Sequence, residues 1–130
     1  MKLFNFSLIA LTIVIVCAGC DSPPPDRTPS ARIDASTLFS EYSNNEVAAD
    51  SKYKGKYVAV TGIVEDIGKD LASTIYITLD ANSWPLTVQC LFDDKHASSV
   101  AYISKGRTVT IVGKVDGKFG NVMVKDCTIQ

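Results

Sequence analysis

The stretch Gly55-Lys56-Tyr57-Val58-Ala59-Val60-Thr61-Gly62-Ile63-Val64 recurs later in the chain as Gly106-Arg107-Thr108-Val109-Thr110-Ile111-Val112-Gly113-Lys114-Val115. Both read Gly, basic residue, x, Val, x, Val or Ile, x, Gly, x, Val. In the first copy, Val58, Val60, Gly62 and Val64 alternate with Tyr57, Ala59, Thr61 and Ile63. That is the period of a strand, and the apolar residues on both faces predict cover on both sides. A glycine inside a strand weakens it, so a glycine at the same place in two strands predicts a bend or bulge. A small closed barrel needs such places where a strand turns a corner. The alternative is chance similarity between two Val-rich strands.

Working outward, Ser73 to Asp80 reads as a second strand, with Ile75, Ile77 and Leu79 on one face and Tyr76 and Thr78 on the other. Asn82-Ser83 predicts a turn, and Leu86, Val88, Cys90 and Phe92 share one face of a third strand. A short helix is expected through Ala97 to Ile103. Arg107 to Val115 makes the fourth strand, Asp116-Gly117 a turn, and Asn121 to Ile129 the fifth. Ahead of these, Asp34 is a candidate N-cap, and Leu38, Phe39, Tyr42 and Ala49 recur at helical spacing. Asn44-Asn45 is placed to break that helix, with Asn45 capping a second piece. Three strands, a short helix and two strands are the order of an OB-fold. The expected fold is therefore mainly β: a five-stranded Greek-key barrel with an N-terminal helix and a short helix between strands 3 and 4.

The N-terminus reads as an address. Lys2 supplies a positive charge, and Leu3 to Val16 is mostly apolar. Fourteen residues make about 21 Å of helix, too short for a hydrocarbon core about 30 Å thick. Ala18-Gly19-Cys20 follows, and resembles the lipobox of bacterial lipoproteins, with Cys17 where that family prefers Leu. The resemblance implies a signal peptide over residues 1–19 and a diacylglyceryl group on Cys20, anchoring the chain to a membrane. The alternative is an ordinary signal peptide cut near Gly19, or an uncleaved anchor. Asp21 resembles the signal that keeps enterobacterial lipoproteins in the inner membrane. Four prolines between residues 21 and 30 predict an extended tether. The organisation expected is thus signal peptide 1–19, lipidated Cys20 and Pro-rich tether 20–30, and folded domain 31–130, exported to the periplasmic face of a bacterial cell envelope.

The chain has 130 residues and a formal net charge of −1, with 46% apolar and 21% charged residues. This is globular composition without the basic excess of a nucleic-acid binder. The Lys52, Lys54, Lys56 run is diluted by Asp50 and reads as a solvated strand approach. The one histidine, His96, lies in Asp93-Asp94-Lys95-His96. Neighbouring residues on a short loop rarely converge on a metal, so a polar loop capping the short helix is expected, with no metal and no cofactor. There is no Gly-x-Ser-x-Gly and no Walker loop, and the expectation is a protein without enzymatic activity.

A more specific resemblance emerges from the whole pattern. Leu38-Phe39, Tyr42, Asn45-Glu46, Ala49-Asp50, Tyr53-Lys54-Gly55-Lys56 and Val60-Thr61-Gly62 are similar to the tRNA_anti-like family of OB-fold proteins. So are Val88-x-Cys90-x-Phe92, Lys105-Gly106, Val109-Thr110, Gly113 and the closing Asp126-Cys127-x-Ile129. The resemblance spans residues 33 to 130 and implies an architecture, because many such proteins are exported and an exported domain does not meet tRNA. In OB topology the third and fifth strands are neighbours, so Cys90 and Cys127 are expected to form a disulfide, the alternative being two buried thiols. An OB-fold takes ligands on the face of strands two and three. Here that face carries Tyr76, Thr78, Thr87 and Gln89, with Trp84 on the loop between the strands as a stacking platform or as a cover for one barrel mouth. The expected function is that of a membrane-tethered binding module whose partner is an envelope protein. A small ligand or oligosaccharide held by Trp84 and Tyr76 is the alternative. Single-stranded nucleic acid is the least expected partner.

Overall fold

The computed structural model describes Gly19 and residues 23–130. The signal peptide, Cys20 and Asp21 lie outside the described residues. From Ala31 the chain forms β1 (Ala31–Asp34), α1 (Ala35–Asn44), α2 (Glu46–Tyr53), β2 (Tyr57–Lys69), β3 (Ile75–Ser83) and β4 (Leu86–Phe92). A 3-10 turn over Asp94–His96 leads into α3 (Ala97–Ala101), and β5 (Thr108–Phe119) and β6 (Asn121–Ile129) complete the chain.

The strands are ordered β1-β2-β3-β4-β6-β5, and β5 returns to β2 to close a five-stranded barrel. This is the expected OB-fold. β2 reaches both neighbours because it is long and curled: Tyr57–Ile63 pairs with β5, and Val64–Lys69 pairs with β3. β1 was not expected. It runs parallel to the first half of β2, Ala31 opposite Val58 and Asp34 opposite Thr61, and fills the edge that β3 does not reach.

Three boundaries differ from the sequence expectation, each for the same reason. The first strand runs on past Val64 to Lys69, through a register shift at Glu65. Asn82-Ser83 belongs to the end of β3, so the tip of that hairpin is Trp84-Pro85. Asp116-Gly117 is not a turn but a bulge inside β5, with Gly117 at φ +114°, and the chain reverses at Gly120. Turn-forming residues serve bulges equally well, and a tightly coiled barrel has many.

The helices follow the expected division. Asn45 ends α1, and its side chain caps α2 by accepting from the Ala48 N–H at 3.0 Å. Asp34 stands at the N-cap of α1 with extended backbone, but its side chain makes no capping bond. α1 buries Ala35, Leu38, Phe39 and Tyr42 against the barrel. Leu38 and Phe39 each contribute about 1.5–3 kcal/mol through lost contact with water. Inside the barrel, Val58, Val60, Ile77, Leu79, Ile111 and Val124 are wholly buried. At α3, Val100 packs on this core.

Candidate functional site

Alternation along β3 and β4 divides their side chains between the core and an outer face. Ile75, Ile77, Leu79, Val88, Cys90 and Phe92 point inward and are buried. Tyr76, Thr78, Gln89 and Leu91 point outward and are half-buried. Thr78 stands opposite Gln89, Tyr76 opposite Leu91, and Gln89 opposite Met123 of β6. The outer face is therefore a continuous surface over three strands, part amide and hydroxyl, part apolar.

One end of this face is a fixed polar cluster. The Tyr76 ring lies across the neighbouring strand: a Cβ on Gly68 would sit 2.9 Å from its hydroxyl oxygen. The hydroxyl donates to Asp66 Oδ2 at 3.0 Å, and Lys105 Nζ stands 2.9 Å from Asp66 Oδ1. Lys105 and then Tyr76 hold the Asp66 carboxyl below its ordinary value, and Asp66 in turn raises Tyr76.

At the other end Asn121 is the hub. Its carbonyl oxygen accepts from the Thr87 N–H at 2.9 Å, and its amide donates to Gln89 Oε1 at 3.0 Å. These bonds tie the start of β6 to β4. Thr87 is buried, and its hydroxyl has no hydrogen-bond partner among the described residues. An unpaired buried hydroxyl is uncommon and costly.

The five face residues read from the sequence therefore divide. Thr78, Thr87 and Gln89 share one stretch, with Tyr76 at its end. Trp84 is at the hairpin tip, eight residues along β3 and its turn from the Asp66-bound Tyr76, or about 26 Å of chain. The two aromatics do not form a common stacking site. Trp84 is 83% exposed and does not cover a barrel mouth, which corrects that reading.

Cys90 and Cys127, the expected disulfide, stand as free thiols, both buried on the adjacent strands β4 and β6. The Cys127 thiol donates to the Val124 carbonyl at 3.4 Å. Burial, with Cys90 beside it, pushes the Cys127 thiol well above its ordinary range. As thiols they are poor nucleophiles. His96 lies in the 3-10 turn, where Asp93 accepts from the Lys95 N–H. Among the described residues no three His, Cys, Asp or Glu side chains gather as metal ligands.

Sequence reasoning missed a latch between the tether and the barrel. Arg27 pairs with Asp126, and the Tyr57 hydroxyl donates to the same carboxylate. The Ser30 N–H donates to the Tyr57 carbonyl at 2.8 Å, and Arg32 donates to Gln130 Oε1 at 2.9 Å. The C-terminal part of the Pro-rich segment therefore lies on the domain. Nothing local marks Arg27 for this role, because its partner is contributed by the last strand.

The tRNA_anti-like family model matches residues 1–128. The chain belongs to the tRNA_anti-like family. Among solved structures it is similar to a lipoprotein of Klebsiella pneumoniae subsp. pneumoniae whose name ascribes nucleic-acid binding to it. The identity is 23% over 84% of this chain and 99% of that one, with a TM-score of 0.63. An OBody bound to hen egg-white lysozyme is 19% identical over 60% of this chain and 84% of its own, with a TM-score of 0.48. Asparaginyl-tRNA synthetase from Pyrococcus horikoshii is 16% identical over 60% of this chain and 20% of its own, at 0.43. No curated protein matches. Among the described residues no helix is long and apolar enough to cross a membrane.

Proposed function

We propose that this tRNA_anti-like protein is a lipoprotein of the bacterial cell envelope, anchored through Cys20 and acting as a non-enzymatic binding module for another envelope protein. The observation that carries this reading is the outer face of β3, β4 and β6. It is open, and it mixes apolar Leu91 and Met123 with the amides of Gln89 and Asn121. Such a mixture suits a modest protein interface better than a catalytic cleft. The Ala18-Gly19-Cys20 sequence and the name of the Klebsiella neighbour both favour a lipoprotein.

That neighbour's name also raises nucleic acid as a partner. The charges around the face argue the other way. Lys105 is paired with Asp66, and Lys125 with Asp116 at 2.8 Å, so each of these two lysines brings with it a carboxylate that repels phosphate. A small ligand would use Thr87 and Gln89, the polar stretch beside Asn121, rather than Trp84 with Tyr76.

The export that this reading requires also favours a disulfide between Cys90 and Cys127, closing a loop worth about 3–4 kcal/mol on the chain-entropy model. Alkylation of the denatured native protein followed by intact mass should find no free thiol at either residue. Two alkylated thiols would leave the pair as plain core.

The function is tested by crosslinking in intact cells, with Cys20→Ala as the untethered control. One envelope protein captured by the wild type and lost in the control is the expected result. Salt-sensitive binding of single strands by the purified protein, with no protein partner captured, would replace this reading with the nucleic-acid one.

A further inference from the structure

Two hairpin tips meet at one end of the barrel. The β3–β4 tip carries Trp84, 83% exposed, and the β5–β6 tip carries Phe119, 90% exposed. Leu86, 38% exposed, stands between them: a Cβ on Gly120 would come within 3.9 Å of its side chain. The bond from the Thr87 N–H to Asn121 holds the two tips together. Residues 82–86 read Asn-Ser-Trp-Pro-Leu and residues 119–121 read Phe-Gly-Asn, with no charge in either run. The nearest acids are occupied: Asp80 accepts from the Asn82 N–H at 2.8 Å, and Asp116 is paired with Lys125. Lys118, one residue before Phe119, sets its ammonium over the Phe39 ring of α1, 5.7 Å from the centroid.

We infer that these tips dip into the interfacial layer of the membrane to which the protein is anchored, so that the lipid on Cys20 and the pair Trp84 and Phe119 hold the barrel in one orientation. The inference rests on the lipoprotein reading above. A tryptophan, with its one polar edge, favours the headgroup region, and a phenylalanine beside it adds apolar surface to bury there. The shape also favours lipid. The apolar groups protrude from convex tips instead of lining a groove, which suits a soft medium better than a folded partner.

The tether's geometry agrees. Arg27 is latched to Asp126, five residues along β6 from Asn121, or about 17 Å of strand. Seven residue steps separate Arg27 from Cys20 and span at most about 23–25 Å. Cys20 can therefore lie level with the tips while the latch stays closed. With the tips in the membrane, Tyr76, Thr78 and Gln89 stand on the side wall of the barrel, clear for a partner.

Trp84 is the only tryptophan of the chain, so its emission reports the tip directly. The native protein, with acylation of Cys20 verified by mass, would be placed in phosphatidylethanolamine–phosphatidylglycerol vesicles with and without brominated acyl chains. Trp84 emission should move to shorter wavelength than in detergent-free Cys20→Ala protein, and the brominated chains should quench it. Phe119→Ser should weaken both effects with no change in melting temperature, because Phe119 is exposed. Acylated protein whose Trp84 emission stays at the water-exposed wavelength, unquenched by brominated lipid, would overturn the inference and leave the anchor standing. A shift that appears only on adding single-stranded DNA or an envelope protein would overturn it too, and assign the tips to that partner. Absence of acyl mass on Cys20 would instead remove the lipoprotein reading on which it rests.

Discussion

The two copies of the repeated stretch lie side by side. Val58 of β2 stands opposite Gly113 of β5, Gly62 opposite Val109, and Val60 opposite Ile111 at the centre, so the segments are related by a local two-fold. Their leading glycines behave alike: Gly55 and Gly106 have φ +77° and +85°, and each turns the chain into its strand. Their interior glycines do not. At Gly113 a Cβ would come 2.6 Å from both Cys127 Sγ and Val124, and 2.9 Å from the Lys125 carbonyl oxygen. At Gly62 it would come 3.0 Å from the Ala35 Cβ and 3.1 Å from the Leu79 Cβ. The register of β5 against β6 slips at Gly113, whereas the slip in β2 comes three residues after Gly62. One glycine lets β6 cross close over a bulge. The other lets the first turn of α1 sit against β2. Similar sequence thus meets two different steric demands.

The largest effect should come from breaking the first of these. Gly113→Ala forces a methyl into two core side chains and a backbone carbonyl, and should cost about 3 kcal/mol, the upper part of the range for overpacking. Denaturant melts should show it as a lower midpoint with unchanged slope. Gly62→Ala meets the Cβ atoms of Ala35 and Leu79 at 3.0 and 3.1 Å, a smaller overlap relieved if α1 and β3 give by a few tenths of an ångström, and should cost about 1–2 kcal/mol. Equal losses at the two sites would remove the distinction drawn here.

The helices extend the contrast. Asp50 of α2 lies beside Gly117 of β5, where an added Cβ would come 3.4 Å from its Oδ1, and it accepts from the buried Tyr42 hydroxyl at 3.0 Å. Tyr42→Phe should cost about 1 kcal/mol for that hydrogen bond. Burial, then Asp50, raises the Tyr42 hydroxyl far above its ordinary value. The folded state therefore keeps a proton that the unfolded chain gives up above about pH 10. Stability from this group is complete below that pH and is lost as pH rises further. The wild type should lose stability in alkali more steeply than Tyr42→Phe, and parallel pH profiles would contradict the assignment.

Smaller effects belong to the shared features. Gly106→Ala and Gly55→Ala place an L residue at positive φ and should each cost about 1 kcal/mol, by similar amounts. Smallest is the cross-strand pair at the seam, where Thr61 and Thr110 hydroxyls meet at 2.8 Å. Thr110→Val should cost about 0.5 kcal/mol, read as a shift of a few degrees in melting temperature.

The repeat made the barrel legible because each copy carries its strand period and its corner glycine in ten adjacent residues. The same is true of Asn45, whose capping role is local. What the sequence did not reveal depends on distant partners. β1 is four residues long and exists only because β2 offers it an edge. Asp116-Gly117 and Asn82-Ser83 carry turn chemistry that the coiled strands use for irregularities instead. On the candidate face, alternation marked Thr78 and Gln89 correctly as outward, and would have marked Leu91 and Met123. The hub at Asn121 and the latch from Arg27 to Asp126 join residues far apart in the chain, and no local pattern signals them.

The central claim is that the protein acts through the outer face of β3 and β4 while tethered at Cys20. It is tested most directly by a photo-crosslinking amino acid placed at Gln89 in cells, compared with one at Lys54 beyond α2. The account predicts a discrete adduct with one envelope protein from Gln89, absent from Lys54 and lost when Cys20 is Ala. Adducts of equal yield from both positions, or an unchanged adduct from the Cys20→Ala protein, would contradict it.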